Sequence, residues 1–108
     1  MTRLLLINPN TTTAMTDRMA SIAAEVAGPS ATVVARTAAR GVPYIASRAE
    51  AQLAGAELLD ILANDAADCD AAIVAAFGDP GVIAAREVFD LPIVGMAEAA
   101  VMTAALLG

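Results

Sequence analysis

The chain has 108 residues and a formal net charge of −6, with six basic residues against twelve acidic ones. Binding to nucleic acid or to an anionic membrane requires clustered positive charge, so neither is an expected partner. Because the sequence contains no histidine, it excludes histidine-based catalytic triads and lacks the commonest metal ligand, and we expect no metal site. Its one cysteine, Cys69, permits no internal disulfide, which is typical of a cytoplasmic protein.

Short apolar runs alternate with segments of helical periodicity along the chain. The runs predict strands near residues 3–8, 31–36, 71–76 and 92–95, because continuous apolar stretches of this length suit strands buried on both faces. The first helix is predicted to follow residues 11–13, which can cap it, and to end at Gly28-Pro29.

Capping patterns predict the other three helices. Ser47 and Glu50 form a capping-box pattern, from which a long helix runs to about residue 63. Asp79 can be the N-cap of the third helix, with Pro80 as its first residue. The fourth helix is predicted from Met96 onward and is apolar nearly all round, which favours burial on more than one face and therefore self-association.

Strands that alternate with helices in this way predict an α/β fold with three layers, in which helices cover both faces of a parallel sheet. Right-handed connections favour a flavodoxin-like, four-stranded sheet with the order 2-1-3-4. No linker or repeat interrupts the pattern, so residues 1–108 are predicted to form one domain.

Three loops should carry the chemistry, because ligands of parallel α/β sheets bind outside the carboxyl ends of the strands. They comprise residues 8–12, 76–81 and 95–98, and each leads into a helix N-terminus whose free N–H groups suit a small anionic or imide-like ligand. Each loop also has a purely structural interpretation, as a turn, a helix start or a dipole partner. Cys69 lies outside these loops and is expected to be an inert thiol.

Three motifs in these loops resemble those of hydantoin and allantoin racemases in the Asp/Glu/hydantoin racemase superfamily. They are Ile7-Asn8-Pro9-Asn10-Thr11-Thr12 followed by Met15-Thr16, Phe77-Gly78-Asp79-Pro80-Gly81 followed by Ala84-Ala85-Arg86-Glu87, and Pro92-Ile93-Val94-Gly95 followed by Glu98-Ala99-Ala100. Gly41-Val42-Pro43 also occupies the position of a similar loop. The resemblance covers nearly the whole chain, and the motifs occur in the family's order.

The resemblance implies a protein about twice this length, with two similar α/β halves and a cysteine on each side of the cleft between them. One thiolate removes a proton from the stereocentre of a hydantoin- or ureide-type substrate and the other thiol returns a proton to the opposite face, without a cofactor. The first cysteine should immediately precede Phe77, where this chain has Ala76. The expected substrate contacts are Asn8, Asn10, Thr11, Thr12, Gly78, Asp79 and Glu98.

Because alanine carries no titratable proton, we expect this chain alone to be inactive as a racemase. The sequence is compatible with a fragment, an engineered variant or a natural half-length protein, with a missing second half or a second copy as partner. Arylmalonate decarboxylases of the same superfamily, which lack the first-half cysteine, offer an alternative function. A non-catalytic domain that binds small molecules offers another.

Overall fold

The computed structural model describes residues 1–108, and its four strands form one parallel sheet with the order β2-β1-β3-β4. The strands are β1 (Thr2–Asn8), β2 (Ala31–Thr37), β3 (Ala71–Val74) and β4 (Ile93–Gly95), and the helices are α1 (Thr13–Ala27), α2 (Arg48–Asp65), α3 (Val82–Val88) and α4 (Met96–Leu107). Short 3-10 turns at Gly28–Ser30 and Ala66–Asp68 lead into β2 and β3. The predicted α/β class, parallel pairing and strand order are confirmed.

The sheet register places the ends of β1, β3 and β4 along one edge. Ile7 pairs with Val74, and Val74 pairs with Gly95. The predicted end of β3 at residue 76 is wrong, because after Ala75 donates its N–H to the Ile7 carbonyl at 2.8 Å the chain turns out of the sheet. Residues 76–81 therefore form a loop at the carboxyl edge, next to the residues that follow β1.

The core lies between the central strands and α2. Leu5, Ile7 and Val74 contribute from the sheet and Leu58 and Leu62 from α2, and all five are almost fully buried. Burial of each such side chain stabilises the fold by about 1.5–3 kcal/mol relative to its exposure to water. No helix of the chain has both the length and the apolar character needed to cross a membrane.

The N-cap of α2 is as predicted, but the N-cap of α3 is not. Ser47 accepts a hydrogen bond from the Glu50 N–H at 3.1 Å, and α2 extends to Asp65, slightly beyond its predicted end. In contrast, α3 begins at Val82 with Gly81 as its N-cap. The prediction of Asp79 as this N-cap is wrong, because its carboxylate is turned toward α4 instead.

A close approach between α2 and the loop 76–81 depends on two glycines. Gly81 has a φ of 80°, and a Cβ added to it would lie 2.8 Å from the Cα of Gly55. A side chain at this position would therefore be both strained and obstructed. The contact fixes the loop against the helix that carries the core.

The last helix, α4, is exposed on its apolar surface. Val101, Met102, Leu106 and Leu107 are each between 64% and 87% exposed. Self-association through this surface stays a prediction.

Candidate functional site

A cleft of about 240 Å³ opens at the carboxyl edge of the sheet. The loop after β1 contributes Asn10, the loop before α2 contributes Tyr44 and Ile45, and the loop after β3 contributes Ala75, Ala76 and Phe77, while Met15, Met19 and Met96 come from helices. Asn10 and Ala76 are the only members of the predicted site among these nine residues. Asn10 is also the one lining residue that is not hydrophobic.

Asn8 lies beneath the cleft and organises its floor. The side chain is fully buried, and its Oδ1 accepts from the Asn10 N–H at 3.1 Å. Its Nδ2 donates to Asn10 Oδ1 at 2.8 Å, to Thr16 Oγ1 at 2.9 Å and to the Thr12 carbonyl at 3.2 Å. Because every polar atom of this amide already has a protein partner, Asn8 shapes the loop rather than facing a ligand.

These bonds fix the orientation of the Asn10 amide. Its Oδ1 accepts from Asn8 Nδ2 at 2.8 Å and from the backbone N–H of Thr12 at 2.9 Å. Since a backbone N–H can only donate, the oxygen of Asn10 must face Thr12, and its Nδ2 must face the other way. The nitrogen has only the sulfur of Met15, at 3.7 Å, as a partner. Asn10 therefore holds N–H donors at the cleft.

Thr11 and Thr12 attach this loop to the loop before α2. The Thr11 N–H donates to the Val42 carbonyl at 2.9 Å, and Thr12 Oγ1 donates to the Pro43 carbonyl at 2.7 Å. Thr12 is the N-cap of α1, but its hydroxyl makes no capping bond because it is engaged with Pro43. These two contacts place Tyr44 and Ile45 at the rim of the cleft.

The loop after β3 presents backbone donors beside Ala76. The Ala76 carbonyl accepts from the Asp79 N–H at 3.1 Å and closes a tight turn. The N–H groups of Ala76, Phe77 and Gly78 donate to no protein atom. Such a row of free N–H groups is suited to a developing negative charge on a ligand oxygen. Gly78 and Asp79 lie with α2 on the far side of this turn, not in the cleft lining.

Asp79 caps α4 across the sheet edge. Its two carboxylate oxygens accept from the N–H groups of Ala97 and Glu98, at 2.8 and 2.9 Å. The N-cap residue of α4 is Gly95, which has no side chain to fill this role. A Cβ on Gly95 would lie 2.2 Å from Cγ of Asp79, so the glycine leaves the space that the carboxylate occupies. The anion site at this helix N-terminus is therefore taken by the protein itself.

Glu98 is also engaged within the protein. Its carboxylate accepts hydrogen bonds from Nη1 and Nη2 of Arg86 and, at 3.0 Å, from the N–H of Gly95. Arg86 is held in turn by the Ile93 carbonyl. The Arg86 hydrogen bond, followed by the Gly95 N–H, lowers the pKa of Glu98 below its ordinary value of 4.5. Glu98 therefore ties α3 to α4 and does not line the cleft.

The lowered pKa of Glu98 predicts a pH dependence of stability. The unfolded chain protonates Glu98 first, so the stabilisation is complete above pH 4.5 and is lost as the pH falls through the lower folded-state pKa. We expect Glu98→Gln to reduce the free energy of unfolding at pH 7 and to flatten its fall in this acidic window, as measured by urea titration. Glu87→Gln, which removes an exposed carboxylate without an ion pair, is the matched control. An unchanged slope in Glu98→Gln would contradict the role of the ion pair.

Cys69 lies at the opposite edge of the sheet, before β3 begins. It is partly buried, and its thiol donates to the Asp65 carbonyl at 3.6 Å. Leu62, Phe89 and Leu91 surround it. It therefore cannot replace a group at Ala76. Residues 1–108 contain no group of three acidic or cysteine side chains that could hold a metal ion.

Sequence reasoning missed part of the cleft lining. Met19 and Ile45 lie outside the predicted loops and site residues, although the spacing of Met15 and Met19 did place both on one face of α1. The signal that could have identified Met19 is the position of α1 directly after the loop of Asn8 and Asn10.

The chain is a parallel α/β domain with a candidate ligand cleft at the carboxyl edge of its sheet, and the loop Asn8-Pro9-Asn10-Thr11 forms the floor of that cleft. Comparison of the whole sequence with known proteins identifies its family. The chain belongs to the Asp/Glu/Hydantoin racemase family, which it matches over residues 4–108. It is 37% identical to the hydantoin racemase of Paenarthrobacter aurescens over 101 residues and to that of Pseudomonas sp. (strain NS671) over 106 residues. These matches cover 92% and 97% of this chain but 43% of each relative.

Two solved structures that resemble this fold are allantoin racemases. The fold matches the allantoin racemase from Klebsiella pneumoniae with a TM-score of 0.92 and 37% identity, over 98% of this chain and 44% of that one. It matches the allantoin racemase from Pseudomonas fluorescens with a TM-score of 0.93 and 33% identity, over 98% and 45%. The chain thus spans less than half the length of the racemases it resembles.

Proposed function

We propose that this chain is the substrate-binding half of a racemase site for hydantoin- or allantoin-like cyclic ureides, with Ala76 at the position of a proton-transfer cysteine. The observation that carries the proposal is the location of Ala76, which lines the cleft beside Asn10 and next to free backbone N–H groups. A carbanion formed at the ligand's stereocentre would spread its charge onto a ring carbonyl, and these N–H groups could stabilise that oxygen.

In the proposed reaction, a thiolate takes the proton from the stereocentre and a second acid returns a proton to the opposite face, so that no cofactor takes part. Alanine can do neither, and Tyr44 is the only titratable residue in the cleft lining. As it stands, the domain therefore binds and polarises a ligand but does not transfer its proton. Among Asn8, Asn10, Thr11, Thr12, Gly78, Asp79 and Glu98, we assign direct contact to Asn10 alone, which lines the cleft, and assign the others to support.

A non-catalytic binding domain is the second candidate, and the same alanine favours it. The decarboxylase alternative has less support. Its substrate carries carboxylates, whereas no lysine or arginine lines the cleft and Asp79 occupies the α4 N-terminus. A buried carboxylate without a counter-charge is strongly disfavoured.

Restoring the thiol tests the proposal. We expect Ala76→Cys to create a thiol that reacts with iodoacetamide about tenfold faster than Cys69 near pH 7, because adjacent N–H groups stabilise a thiolate. The variant should also exchange the α-proton of a 5-substituted hydantoin for deuterium, by NMR, without racemising it. Ala63→Cys, at an exposed position of α2, is the matched control for a thiol with no such donors.

The two readouts decide between the candidates. Fast thiol reaction together with deuterium incorporation above the protein-free rate supports the racemase site. A reactive thiol without deuterium incorporation supports the binding domain. If the new thiol reacts no faster than that of Ala63→Cys and no deuterium enters, position 76 is not a proton-transfer position.

A further inference from the structure

We propose that a second copy of this chain docks on the part of the sheet that α1 leaves uncovered, and that the helix it places there is its own α4. Each copy presents both surfaces, so the contact is reciprocal and produces a two-fold dimer. The inference does not depend on the proposed function.

The face of the sheet that carries α1 is covered unevenly. Leu6, Ile73 and Val94 are paired side by side across β1, β3 and β4. They point to the same side as Asn8, whose Nδ2 donates to Thr16 of α1, because side chains alternate between the two faces along a strand. Leu6 is 3% exposed, Ile73 is partly exposed and Val94 is 39% exposed. The cover is therefore lost from β1 toward β4, and we call the region around Ile73 and Val94 the open face.

An apolar stripe of α1 borders the open face. Met19 lines the cleft together with Met96, which directly follows β4, so this side of α1 is turned toward β4. Ile22 and Val26 follow Met19 at steps of three and four residues and therefore lie on the same side of the helix. They are 55% and 83% exposed. The open face and this stripe thus form one shallow apolar groove without a charged side chain.

The helix α4 matches this groove in character and length. It has no buried residue, and residues 99–107 carry no charge. Met102 and Leu106, which are 64% and 87% exposed, are four residues apart and therefore lie on one side of the helix. Its 12 residues span about 18 Å, which is comparable to the 15-residue α1 that borders the groove.

The α4 helix is held away from the open face of its own chain. It begins at Met96, directly after the last residue of β4, whereas a helix that returns over its own strand usually follows a loop of about two to six residues. Asp79 and the pair of Glu98 with Arg86 fix its first turn where it stands. The groove therefore stays open within one chain, and the α4 of another copy can enter it.

The size of the two surfaces favours a second copy over an unrelated partner. Their large apolar side chains, between 39% and 87% exposed, are Ile22, Val26, Val94, Val101, Met102, Leu106 and Leu107. With the alanines between them they provide on the order of 800 Å² on each copy, which is the area that each partner contributes to a stable interface. A reciprocal dimer covers the groove and α4 with one contact, whereas an unrelated partner would need two matching surfaces.

Sedimentation velocity of the 108-residue protein tests the proposal. We expect a monomer–dimer equilibrium with a dissociation constant on the order of 10 µM. Val94→Lys and Leu106→Lys should each weaken the dimer about tenfold or more, because each places a charge in an apolar contact. Ile83→Lys is the matched control, since Ile83 is 79% exposed on α3, which packs on the other face of the sheet, and it should leave the dissociation constant unchanged. Circular dichroism verifies that each variant is folded.

Disulfide trapping identifies what occupies the groove. With Cys69→Ser in every chain, a chain with Val94→Cys is mixed with an isotope-labelled chain with Leu106→Cys and oxidised with diamide. We expect mass spectrometry to find mainly the mixed disulfide. A protein that stays monomeric at millimolar concentration would overturn the proposal and leave both surfaces to a different polypeptide. A dimer that Val94→Lys leaves intact, or a predominance of labelled homodimers, would also overturn it by showing that the α4 helices pair with each other instead.

Discussion

Asn8→Asp should destabilise the protein at pH 7 by about 3–5 kcal/mol, because it buries a charge that has no positive partner. In the native protein Asn8 Nδ2 donates to three oxygen atoms, on Asn10, Thr12 and Thr16. An ionised carboxylate would place an acceptor against these oxygens. The expected loss is a large part of a total stability of about 5–15 kcal/mol. Urea titration followed by circular dichroism measures it directly.

The pH dependence of this variant gives a sharper result. Burial without a positive partner raises the folded-state pKa of the introduced carboxyl group, so the native state binds its proton more tightly than the unfolded state does. The free energy of unfolding of Asn8→Asp should therefore recover relative to the native protein as the pH falls through that raised value. The protonated carboxyl group regains one donor, but not the two that the amide supplies.

Asn64→Asp is the matched control, since Asn64 is exposed on α2 and donates only to the Asp60 carbonyl. It should change the free energy of unfolding by about 0.5 kcal/mol or less, both at pH 7 and at the lower pH where the carboxyl group of Asn8→Asp is protonated. A loss in Asn8→Asp that is equally small, or that does not depend on pH, would show that the network beneath the cleft is open to water.

The order of strands and helices could be predicted because local patterns and general rules of chain connection both determine it. Continuous apolar runs identified the strands, and right-handed crossovers left 2-1-3-4 as the favoured order. The end of β3 was less predictable, since Ala75 and Ala76 are small apolar residues that suit a strand or a loop equally. What ends β3 is the turn between Ala76 and Asp79, which no periodicity reveals.

The location of the candidate site could be predicted from the sequence, but the hydrogen-bond partners of its residues could not. The end of β1 placed Asn10 correctly at the edge where ligands bind in this type of fold. Asp79 followed by Pro80 matched a capping pattern so well that a local role was the natural interpretation. Its actual partners, Ala97 and Glu98, lie 18 and 19 residues further along the chain, and only the tertiary fold brings them within reach.

The apolar lining of the cleft was hidden for a different reason. A stripe of Met15 and Met19 on α1 has the same periodicity whether it faces a core or a ligand. Tyr44 and Ile45 reach the cleft only because Thr11 and Thr12 bind the loop that precedes them. Periodicity therefore indicated that Met15 and Met19 share one face of α1. The hydrogen bonds between the two loops bring Tyr44 and Ile45 to the same cleft.

Asp79 and Gly95 should be energetically coupled. Asp79→Ala removes the cap of α4 and should cost about 1–2 kcal/mol. Gly95→Ala should cost a similar amount, since its Cβ would lie 2.2 Å from Cγ of Asp79 and would force the carboxylate off the Ala97 and Glu98 N–H groups. Once Asp79→Ala has emptied this space, adding Gly95→Ala should cost little. The double variant should therefore lose about 1–2 kcal/mol, not the sum of the single losses.

Urea titration of all four proteins completes this double-mutant cycle. Gly28→Ala combined with Asp79→Ala is the control, because Gly28 has a φ of 69° but a Cβ added to it would meet nothing within 4 Å. Its cost should be one of backbone strain alone, and should add to that of Asp79→Ala within about 0.5 kcal/mol. If the Gly95 and Asp79 substitutions also add fully, the glycine does not make room for the carboxylate, and Gly95→Ala destabilises α4 through its own backbone.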